Sequence, residues 1–481
     1  MILLRILTGV NFVCADDISR VQIKRVTTNS KAVKKGSLFI AVKGTIRDGH
    51  DFIGEAAARG AAAIVTGKQS RAGAAIEIAV KDTKGALPLI AANFYGHPSA
   101  ALKSIGITGT NGKTTITYIV ESILKAAGLG VGVIGTIEYR IGKRAAVSNN
   151  TTPGVLELQS ILKDMADSRL DYAVMEASSH GLDQDRIAGI ALDAAAFANI
   201  TPEHLDYHKT IKNYLKAKSK IFKFLKKDGV AVLNADDALV SGLTASIKNR
   251  VLTYGIKTKA SVMAKDISAS ISGSRFKIMA GDGGIEIRTA LLGAHNVSNI
   301  LAAFAITKSQ GIDLRRIKDG IERLNSVPGR LEEVCPGAPF RVFVDYAHTD
   351  DALYNVLGLL RSAAKRRIIT VFGCGGNRDS SKRPRMGRAA CELSDRVVIT
   401  SDNPRNEDPA GIIADILNGV EGKFSNFSIE EDRAKAIASA IRMAGKGDVI
   451  LIAGKGHETH QIIGGRTIPF DDREIARSIL G

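Results

Sequence analysis

The stretch GITGTNGKTT, residues 106–115, holds residue types that can bind a phosphate group. In the pattern G-x-x-x-x-G-K-[ST], backbone N–H groups face the phosphates, the lysine reaches the terminal oxygens and the hydroxyl binds Mg²⁺. Gly112, Lys113 and Thr114 match the last three positions, whereas Ile107 stands where the first glycine belongs. Because the stretch lies between an apolar run and a helical pattern, it predicts a nucleotide loop. The alternative is a glycine-rich turn with an exposed lysine.

Glu176 is a candidate metal ligand. It follows the apolar run YAVM (172–175), at the predicted end of a strand. A lone glutamate in such a place is more often a solvated residue. Beside a phosphate loop, however, a carboxylate can share the Mg²⁺ that Thr114 holds, and the metal role is favoured.

Lys218 lies on the apolar side of a predicted helix. The segment KTIKNYLKAKSKIFKFLKK (209–227) has eight lysines, seven of which fit a solvated face. Helical spacing places Lys218 at the centre of an apolar stripe formed by Ile211, Tyr214, Leu215, Ile221, Phe222 and Leu225. A buried, unpaired ammonium is costly, so either the amine reaches a cleft or the neutral amine adds CO₂ and becomes a carbamate that binds Mg²⁺. The residues alone slightly favour the cleft.

His204 and His208 in TPEHLDYH (201–208) are four residues apart. The zinc-protease pattern H-E-x-x-H needs glutamate directly after the first histidine, and Leu205 stands there. We therefore expect no zinc protease, and His204 alone remains a candidate beside the nucleotide metal.

The elements that position these residues alternate between strand and helix. SLFIAV (37–42) and AAAIVT (61–66) are predicted strands, DFIGEAAARG (51–60) a helix and FYGHPS (94–99) a linker. A second strand-and-loop unit is DYAVMEASSHG (171–181), and the pattern breaks at NSVPGR (325–330). RRIITVFGCGG (366–376), DRVVITSDNPR (395–405) and GDVILIAGKGH (447–457) are strands that end in polar turns. They predict a parallel sheet that binds ligands at its carboxyl edge.

Length and composition narrow the class of protein. A chain of 481 residues is expected to form two to four domains. The net charge of +17 favours anionic partners, which are nucleic acid, phosphorylated small molecules or acidic lipids. The equally weighted alternative is that the source organism simply favours lysine. Four scattered cysteines suggest neither a metal site nor a disulfide framework, and no apolar run is long enough for a membrane helix. We expect a cytoplasmic protein that does not bind a membrane.

Together these motifs resemble the Mur ligase family, the ATP-dependent amino-acid ligases of bacterial cell-wall synthesis. TGTNGKTT is similar to the phosphate loop of that family, which also lacks the first glycine, and the resemblance extends over the whole chain. It implies an α/β fold of three domains. These are a UDP-sugar-binding α/β domain (1–98), a central ATP-binding P-loop domain with a parallel sheet (99–329) and a C-terminal Rossmann-like domain that binds the amino acid (330–481).

The resemblance also assigns roles to residues. It is strongest to the members that add diaminopimelate to a UDP-linked muramoyl dipeptide. The UDP-sugar substrate would be held by Ser30, Thr151, Thr152, Ser179, Gln184 and Arg186. ATP would be held by Gly109, Thr110, Asn111, Gly112, Lys113, Thr114, Thr115, Asn296, Arg330 and Asp345. Diaminopimelate would be held by Arg378, Asp402, Asn403, Pro404, Arg405, Gly454 and Glu458. The catalytic residues would be Lys113, Glu176, His204 and Lys218, and the metal ligands would be Thr114, Glu176, His204 and Lys218, which matches the carbamylated lysine of the family.

Two positions depart from the family pattern. The usual Asp-Ser-Arg near the N-terminus is Asn29-Ser30-Lys31, which retains the serine. The usual proline after DYAHT is Asp350, a change that removes no reacting group but is expected to loosen a turn near ATP.

The implied reaction is ATP-dependent addition of meso-diaminopimelate to UDP-N-acetylmuramoyl-L-alanyl-D-glutamate through an acyl phosphate. It would place the protein in peptidoglycan synthesis and so in cell shape and division, as a monomer that uses Mg²⁺. The rivals are a lysine-adding relative, a folylpolyglutamate synthase, a non-catalytic anion-binding protein and a nucleic-acid-binding ATPase. Aromatic residues make up only 5% of the chain and do not interleave with basic ones, so we expect no nucleic-acid partner.

Overall fold

The computed structural model of the chain describes residues 1–44, 47–68, 73, 75–148, 150–281 and 283–481. Strands and helices alternate along most of this length, so the predicted α/β class is confirmed. Two compact units are formed, Met1–Val262 with Ala302–Ile317, and Met263–Leu301 with Lys318–Gly481. Among the described residues, every helix is too short or too polar to span a membrane.

The first sheet belongs to the N-terminal part of the first unit. Its strands are β1 (Phe12–Val13), β2 (Arg25–Thr27), β3 (Ser37–Ile40), β4 (Ala61–Thr66) and β5 (Ile76–Val80), in the order β1-β5-β4-β3-β2. The helices are α1 (Leu3–Ile6), α2 (Ile53–Ala58) and α3 (Thr83–Tyr95). The predictions for 37–42, 51–60 and 61–66 are confirmed, with the first strand ending at Ile40 and the helix at Ala58. The prediction for 94–99 was partly wrong, because α3 continues through Tyr95 and ends only at Gly96, which adopts the left-handed conformation of a helix C-cap.

The central sheet of the first unit carries the phosphate loop. Its strands are β6 (Lys103–Thr108), β7 (Val131–Ile134), β8 (Glu138–Ile141), β9 (Arg144–Val147), β10 (Tyr172–Glu176), β11 (Leu192–Phe197), β12 (Leu225–Asn234) and β13 (Arg250–Gly255). They lie in the order β13-β12-β11-β6-β10-β7-β8-β9 and are parallel from β13 to β7. The helices are α4 (Lys113–Ala126), α5 (Val155–Asp167), α6 (Ser179–Asp183), α7 (Leu205–His208), α8 (Ile211–Ser219) and α9 (Ala238–Ser241).

The lysine-rich segment is not one helix, and in this respect the prediction was wrong. α8 ends at Ser219, a 3₁₀ turn covers Lys220–Phe224, and Leu225 begins β12. Leu225 pairs with Leu192 of β11, so the chain must turn back into the sheet where the helical pattern would continue. Lys218 still lies on the buried side, because it belongs to the part that is helical.

The second unit contains an antiparallel part and a parallel sheet. The first elements are β14 (Val262–Ser270), β15 (Gly273–Ala280) and β16 (Gly283–Thr289), followed by α10 (Ala294–Ser309) and α11 (Leu314–Arg323). The second half of α10 and the start of α11, Ala302–Ile317, belong to the first unit. The later strands are β17 (Glu332–Val334), β18 (Arg341–Asp345), β19 (Ile368–Phe372), β20 (Arg396–Ile399), β21 (Phe427–Ile429), β22 (Val449–Ala453), β23 (His460–Ile463) and β24 (Arg466–Pro469). The later helices are α12 (Asp350–Ala363), α13 (Arg383–Leu393), α14 (Pro409–Leu417), α15 (Arg433–Met443) and α16 (Asp472–Leu480).

The parallel sheet of this unit has the predicted form. Its strand order is β17-β18-β22-β19-β20-β21, parallel except at β17, and apolar clusters cover both faces. The three runs that the sequence predicted as strands are β19, β20 and β22, and their polar turns follow at the carboxyl edge. β23 and β24 form a separate two-stranded hairpin.

Candidate functional site

The phosphate loop connects β6 to α4, as predicted. Gly109 has φ of +152° and Gly112 has φ of +88°, conformations that glycine adopts most readily. Gly112 is the N-cap of α4, so the backbone amides of the first helical turn lie next to the loop. The Lys113 ammonium donates to the carbonyls of Gly109 (2.9 Å) and Thr110 (2.8 Å) and so lies across the loop. This geometry suits an anionic phosphate.

The missing first glycine has a structural reason. Ile107 is completely buried inside β6 and pairs with Glu176 of β10. A glycine there would remove a core side chain, and the sharp turn begins only at Gly109. The departure from the common pattern therefore lies in the strand and leaves the turn itself intact.

Asn199 shapes this loop, and no motif in the sequence revealed it. Its carbonyl accepts from the Thr110 amide at 2.9 Å, its side-chain oxygen accepts from the Asn111 amide at 2.9 Å, and its amide nitrogen donates to the Asn111 carbonyl at 3.1 Å. Its position in the sequence could have indicated this role, because Asn199 follows β11, and β11 is the parallel neighbour of β6, the strand that leads into the loop.

Glu176 lies beside Thr114 at the carboxyl edge of the central sheet. The Glu176 side chain is buried and accepts from the Thr114 hydroxyl at 3.1 Å. Thr136, which follows β7, also donates to this carboxylate, through its amide (3.0 Å) and its hydroxyl (2.8 Å). Gly135 leaves room for the carboxylate, because a Cβ there would lie 2.4 Å from it. Thr136 was missed because a threonine after a strand has no distinctive spacing.

Thr114 and Glu176 fit a hard divalent cation. A hydroxyl and a carboxylate are oxygen ligands, and Mg²⁺ commonly binds one or two such protein groups with water and phosphate oxygens. The described residues include no group of three or more His, Cys, Asp and Glu side chains arranged around a metal. A cation here would therefore depend on phosphate oxygens for much of its coordination.

Lys218 is buried beneath the phosphate loop. Its Nζ donates to the Gly109 carbonyl at 2.6 Å and lies 4.7 Å from the centre of the Tyr214 ring. Burial lowers the pKa of this amine well below the ordinary lysine value, and the nearby Lys113 ammonium lowers it further. The neutral amine is the form of lysine that can react with CO₂, and this shift favours that form.

His204 lies next to this region, and its side chain is 46% exposed. It precedes α7 with φ of +54°, and its ring centre is 6.4 Å from that of Tyr214 and 4.9 Å from that of His180. Burial lowers its pKa, with Lys113 adding to the effect and Glu203 opposing it. A neutral imidazole can act as a metal ligand. His208 is buried within the same ring cluster, 5.1 Å from Tyr214.

Five of the residues assigned to the UDP-sugar substrate belong to the first unit's central part, and one of them, Thr152, contacts Glu176 directly. Thr152 donates to the Glu176 carbonyl (2.9 Å), and the Thr151 and Thr136 hydroxyls are 3.1 Å apart. Arg186 donates to the Thr152 carbonyl (2.8 Å) and to Gln184 (2.8 Å). Ser179 is buried at the start of α6.

Ser30 lies apart from these five in sequence, in a 3₁₀ turn that follows β2. Its hydroxyl donates to Glu55 at 2.7 Å, and this bond lowers the pKa of Glu55. Asn29 caps the turn by accepting from the Lys31 amide, and Lys31 is exposed. The serine is thus held by Glu55 while its neighbour points into solvent.

The residues assigned to ATP in the second unit are Asn296, Arg330 and Asp345. Asn296 donates to the Leu292 carbonyl at 2.8 Å. Asp345 is buried at the end of β18 and accepts from the Leu331 amide at 2.6 Å. Burial raises the pKa of Asp345, and Arg330, whose guanidinium lies 4.7 Å from the Tyr346 ring, opposes this.

Asp350 does not loosen the turn after β18, contrary to the sequence expectation. Thr349 caps α12 through its hydroxyl, Asp350 occupies the first helical turn, and Arg385 bonds to its carboxylate at 2.5 Å. An acidic residue at this end of a helix is favourable.

The loop after β20 brings together most of the residues assigned to diaminopimelate. Asn403 donates to Glu458 at 2.8 Å, and Gly454, with φ of +115°, lies against the Asp402 carboxylate. Arg405 has φ of +56°, and its guanidinium donates to the Gly376 carbonyl at 2.6 Å.

A second loop, after β19, packs against the loop that follows β20. A Cβ on Gly376 would lie 2.0 Å from the Pro404 carbonyl, and the Gly376 amide donates to the Asn403 carbonyl at 2.9 Å. Arg378 is exposed in the same loop, and a Cβ on Gly375 would lie 3.9 Å from its side chain. The same Cβ would lie 3.0 Å from the Arg405 guanidinium, so the two loops hold two arginines beside Gly375, an arrangement that suits a carboxylate of a ligand.

Comparison with known proteins assigns the chain to a family. Residues 22–95 match the model "Mur ligase family, catalytic domain", residues 107–307 the Mur ligase middle domain, and residues 329–456 the "Mur ligase, glutamate ligase domain". The protein belongs to the Mur ligase family, and it is an ATP-dependent ligase.

Relatives within the family share most of the chain. UDP-N-acetylmuramoyl-L-alanyl-D-glutamate–2,6-diaminopimelate ligase 1 of Clostridium acetobutylicum is 43% identical, over 97% of this chain and 96% of its own. The ligase of the same name, without the numeral, from Bacillus velezensis is 44% identical, over 96% and 95%. A solved structure of a UDP-N-acetylmuramoyl-L-alanyl-D-glutamate–2,6-diaminopimelate ligase is 33% identical, has a TM-score of 0.72, and covers 97% of this chain and 96% of that one.

Proposed function

We propose that this protein joins meso-diaminopimelate to UDP-N-acetylmuramoyl-L-alanyl-D-glutamate at the expense of ATP, in peptidoglycan synthesis. The observation that carries the proposal is the pair of interlocked loops in the second unit, where the Arg405 and Arg378 side chains both lie beside Gly375. Asp402 and Asn403 follow the same strand as Arg405, and Asn403 donates to Glu458. meso-Diaminopimelate has an ammonium and a carboxylate at its distal end, whereas lysine has only the ammonium. The names of the relatives support the same choice.

The reaction begins with two anions. The γ-phosphoryl group of ATP passes to the free carboxylate of the D-glutamyl residue, which gives an acyl phosphate and ADP. The amine of diaminopimelate then attacks the acyl carbon, and inorganic phosphate and a proton leave. Lys113 and the amides at the start of α4 are placed to stabilise the charge on the phosphoryl group.

Mg²⁺ is the cofactor that we propose at Thr114 and Glu176. When bound, it would neutralise charge on the phosphate oxygens. Glu176 is itself held by Thr136, which orients the carboxylate toward Thr114. We propose His204 as a further ligand in its neutral form.

We propose that Lys218 functions as a carbamate. Its neutral amine would attack the carbon of CO₂, a C–N bond would form as one C=O π bond opens, and the nitrogen would then lose a proton to solvent, leaving the carbamate anion. The lowered pKa and the Lys113 ammonium nearby support this modification, because they favour first the neutral amine and then the anion.

The remaining assignments are also proposals. The boundaries 1–98, 99–329 and 330–481 and the monomeric state follow the family resemblance. So does the involvement in cell division through the cell wall. We propose a cytoplasmic location from the scattered cysteines, and no nucleic-acid binding from the low content of aromatic residues.

One assay separates the proposed activity from its rivals. Phosphate release from ATP is measured with UDP-N-acetylmuramoyl-L-alanyl-D-glutamate in the presence of meso-diaminopimelate, L-lysine or DNA. The products are identified by mass spectrometry. We expect release and a ligated product with meso-diaminopimelate. Release that depends on DNA, or a product only with L-lysine, would overturn the proposal.

A further inference from the structure

Lys455 is a fully buried lysine in the loop between β22 and β23. It stands between Gly454 and Glu458, two residues assigned to diaminopimelate, and its side chain has 0% exposure. Burying an ammonium is unfavourable unless its charge and donors are satisfied. The groups that satisfy Lys455 therefore indicate what it does.

The ammonium of Lys455 has three acceptors for its three donors. Its Nζ lies 2.5 Å from the His460 carbonyl, 3.3 Å from Glu458 Oε2 and 3.4 Å from Asn403 Oδ1. Asp402 Oδ1 is 3.9 Å away. Lys455 thus connects the loop after β20, the loop after β22 and the hairpin β23–β24.

These bonds fix the orientation of Asn403. Its Oδ1 accepts from Lys455 and from the Ile462 amide (3.0 Å), so its Nδ2 is directed at Glu458 Oε2 (2.8 Å). One carboxylate oxygen of Glu458 is consequently held by two donors, Asn403 and Lys455. Without the ammonium, Asn403 Oδ1 would keep only the Ile462 amide and Glu458 Oε2 only the Asn403 amide, so both side chains would be held less firmly.

The Asp402 carboxylate oxygen Oδ1 lies on the same side as these residues, 3.9 Å from Lys455 Nζ. Among the described residues, its buried Oδ1 has no hydrogen-bond partner. Burial raises the pKa of Asp402, while Arg433 and Lys455 oppose that rise. An acceptor held in this way suits an ammonium supplied by a ligand.

We propose that Lys455 is a positioning residue that sets recognition of the distal ammonium of the incoming diamino acid. It does so by holding the Glu458 carboxylate, directly and through Asn403, in the orientation that receives this group, beside Asp402. The inference rests on the proposed function, because it requires a substrate with a distal amine. Arg405 would recognise the distal carboxylate, so recognition of the ammonium and recognition of the carboxylate can be tested separately.

The experiment uses an analogue that lacks only the distal amine. kcat/KM is measured for meso-diaminopimelate and for L-2-aminopimelate in the wild type, in Lys455→Met and in Lys455→Gln. The exposed Lys446→Met in the same unit is the matched control. The wild type and the control should have a higher kcat/KM for meso-diaminopimelate than for L-2-aminopimelate. In both Lys455 variants the ratio of these two values should fall by about tenfold to a hundredfold, the range expected for lost charged hydrogen bonds. KM for ATP should not change.

The ratio of the two kcat/KM values does not depend on how much of a preparation is folded, so partial unfolding leaves the test valid. A wild-type ratio in either variant would overturn the role of Lys455. A wild type that uses L-lysine instead would overturn the proposed function separately. In that event L-lysine and L-norleucine form the corresponding pair, and an unchanged ratio in the variants would again overturn the role of Lys455.

Discussion

At the scale of single residues, the phosphate loop depends on a few side chains with separate tasks. Lys113 supplies positive charge at the loop, and Thr114 supplies a hydroxyl next to the Glu176 carboxylate. The helix amides provide donors that no side-chain substitution removes. Charge that develops on the phosphoryl group would therefore be stabilised by groups that are already in position. Such preorganised groups give the largest electrostatic stabilisation of a transition state.

Replacing either side chain should remove catalysis and leave the fold. Because the fixed charge or the metal contact is lost, Lys113→Ala and Thr114→Ala should each lower kcat by at least about a hundredfold. Ligation is measured by phosphate release, with circular dichroism to establish folding. Lys125→Ala, in the last turn of the same helix, is the control and should behave as the wild type. Near-normal turnover in the Lys113 or Thr114 variant would remove the loop from the mechanism.

The proposed carbamate of Lys218 predicts chemical rescue. Lys218→Ala should be nearly inactive, because the anion beneath the loop is lost, and a short added carboxylic acid should restore part of the activity by occupying its place. Turnover is measured with and without the acid, and with Lys216→Ala as the control, because Lys216 is an exposed lysine of the same helix. Full activity of Lys218→Ala without the acid would contradict the carbamate, as would the absence of rescue.

At the scale of elements, we propose that the two interlocked loops of the second unit decide which amino acid is bound. The loop after β19 and the loop after β20 meet where Gly376 contacts the Pro404 carbonyl. The strands fix where each loop begins. The Arg405 amide donates to the carbonyl of Ile462 in the hairpin β23–β24 at 2.9 Å. Small shifts of this contact should therefore alter the placement of Arg405.

Gly376→Ala tests that contact. The added methyl group would meet the Pro404 carbonyl at 2.0 Å, so one loop must move. A displacement of about 1 Å at a reacting site can cost about a hundredfold, and we expect kcat/KM for the amino acid to fall by at least tenfold while KM for ATP stays unchanged. Gly358→Ala in α12, whose Cβ would meet nothing within 4 Å, is the control. Unaltered kinetics in Gly376→Ala would show that the contact does not position the site.

The elements were predictable from the sequence wherever local pattern and tertiary structure agree. β19, β20 and β22 are short apolar runs between polar turns, and any packing of them buries the same residues. The segment 209–227 was mispredicted because pairing of Leu225 with β11 outweighs its helical periodicity. Thr136, Asn199 and Lys455 escaped prediction for a different reason. Each acts through neighbours distant in sequence, and a single threonine, asparagine or lysine has no spacing that reveals such contacts.

At the scale of the whole molecule, the family resemblance covers nearly the full chain, and the charge fits the proposed chemistry. The net charge of +17 attracts ATP and a UDP-linked carboxylate substrate, both of them anions. Lysines and arginines at the phosphate loop and at the two amino-acid loops focus this charge where the substrates are proposed to bind. Nucleic acid is not needed to explain the basic composition.

The most direct test of the account is the choice of amino acid by the intact enzyme. kcat/KM is compared for meso-diaminopimelate and L-lysine in the wild type and in Arg405→Ala. A charged hydrogen bond contributes about 1.5–3 kcal/mol, so two of them should favour meso-diaminopimelate by roughly a hundredfold or more, and Arg405→Ala should lose much of that preference. A wild type that prefers L-lysine, or an Arg405→Ala variant with an unchanged preference, would contradict the assignment.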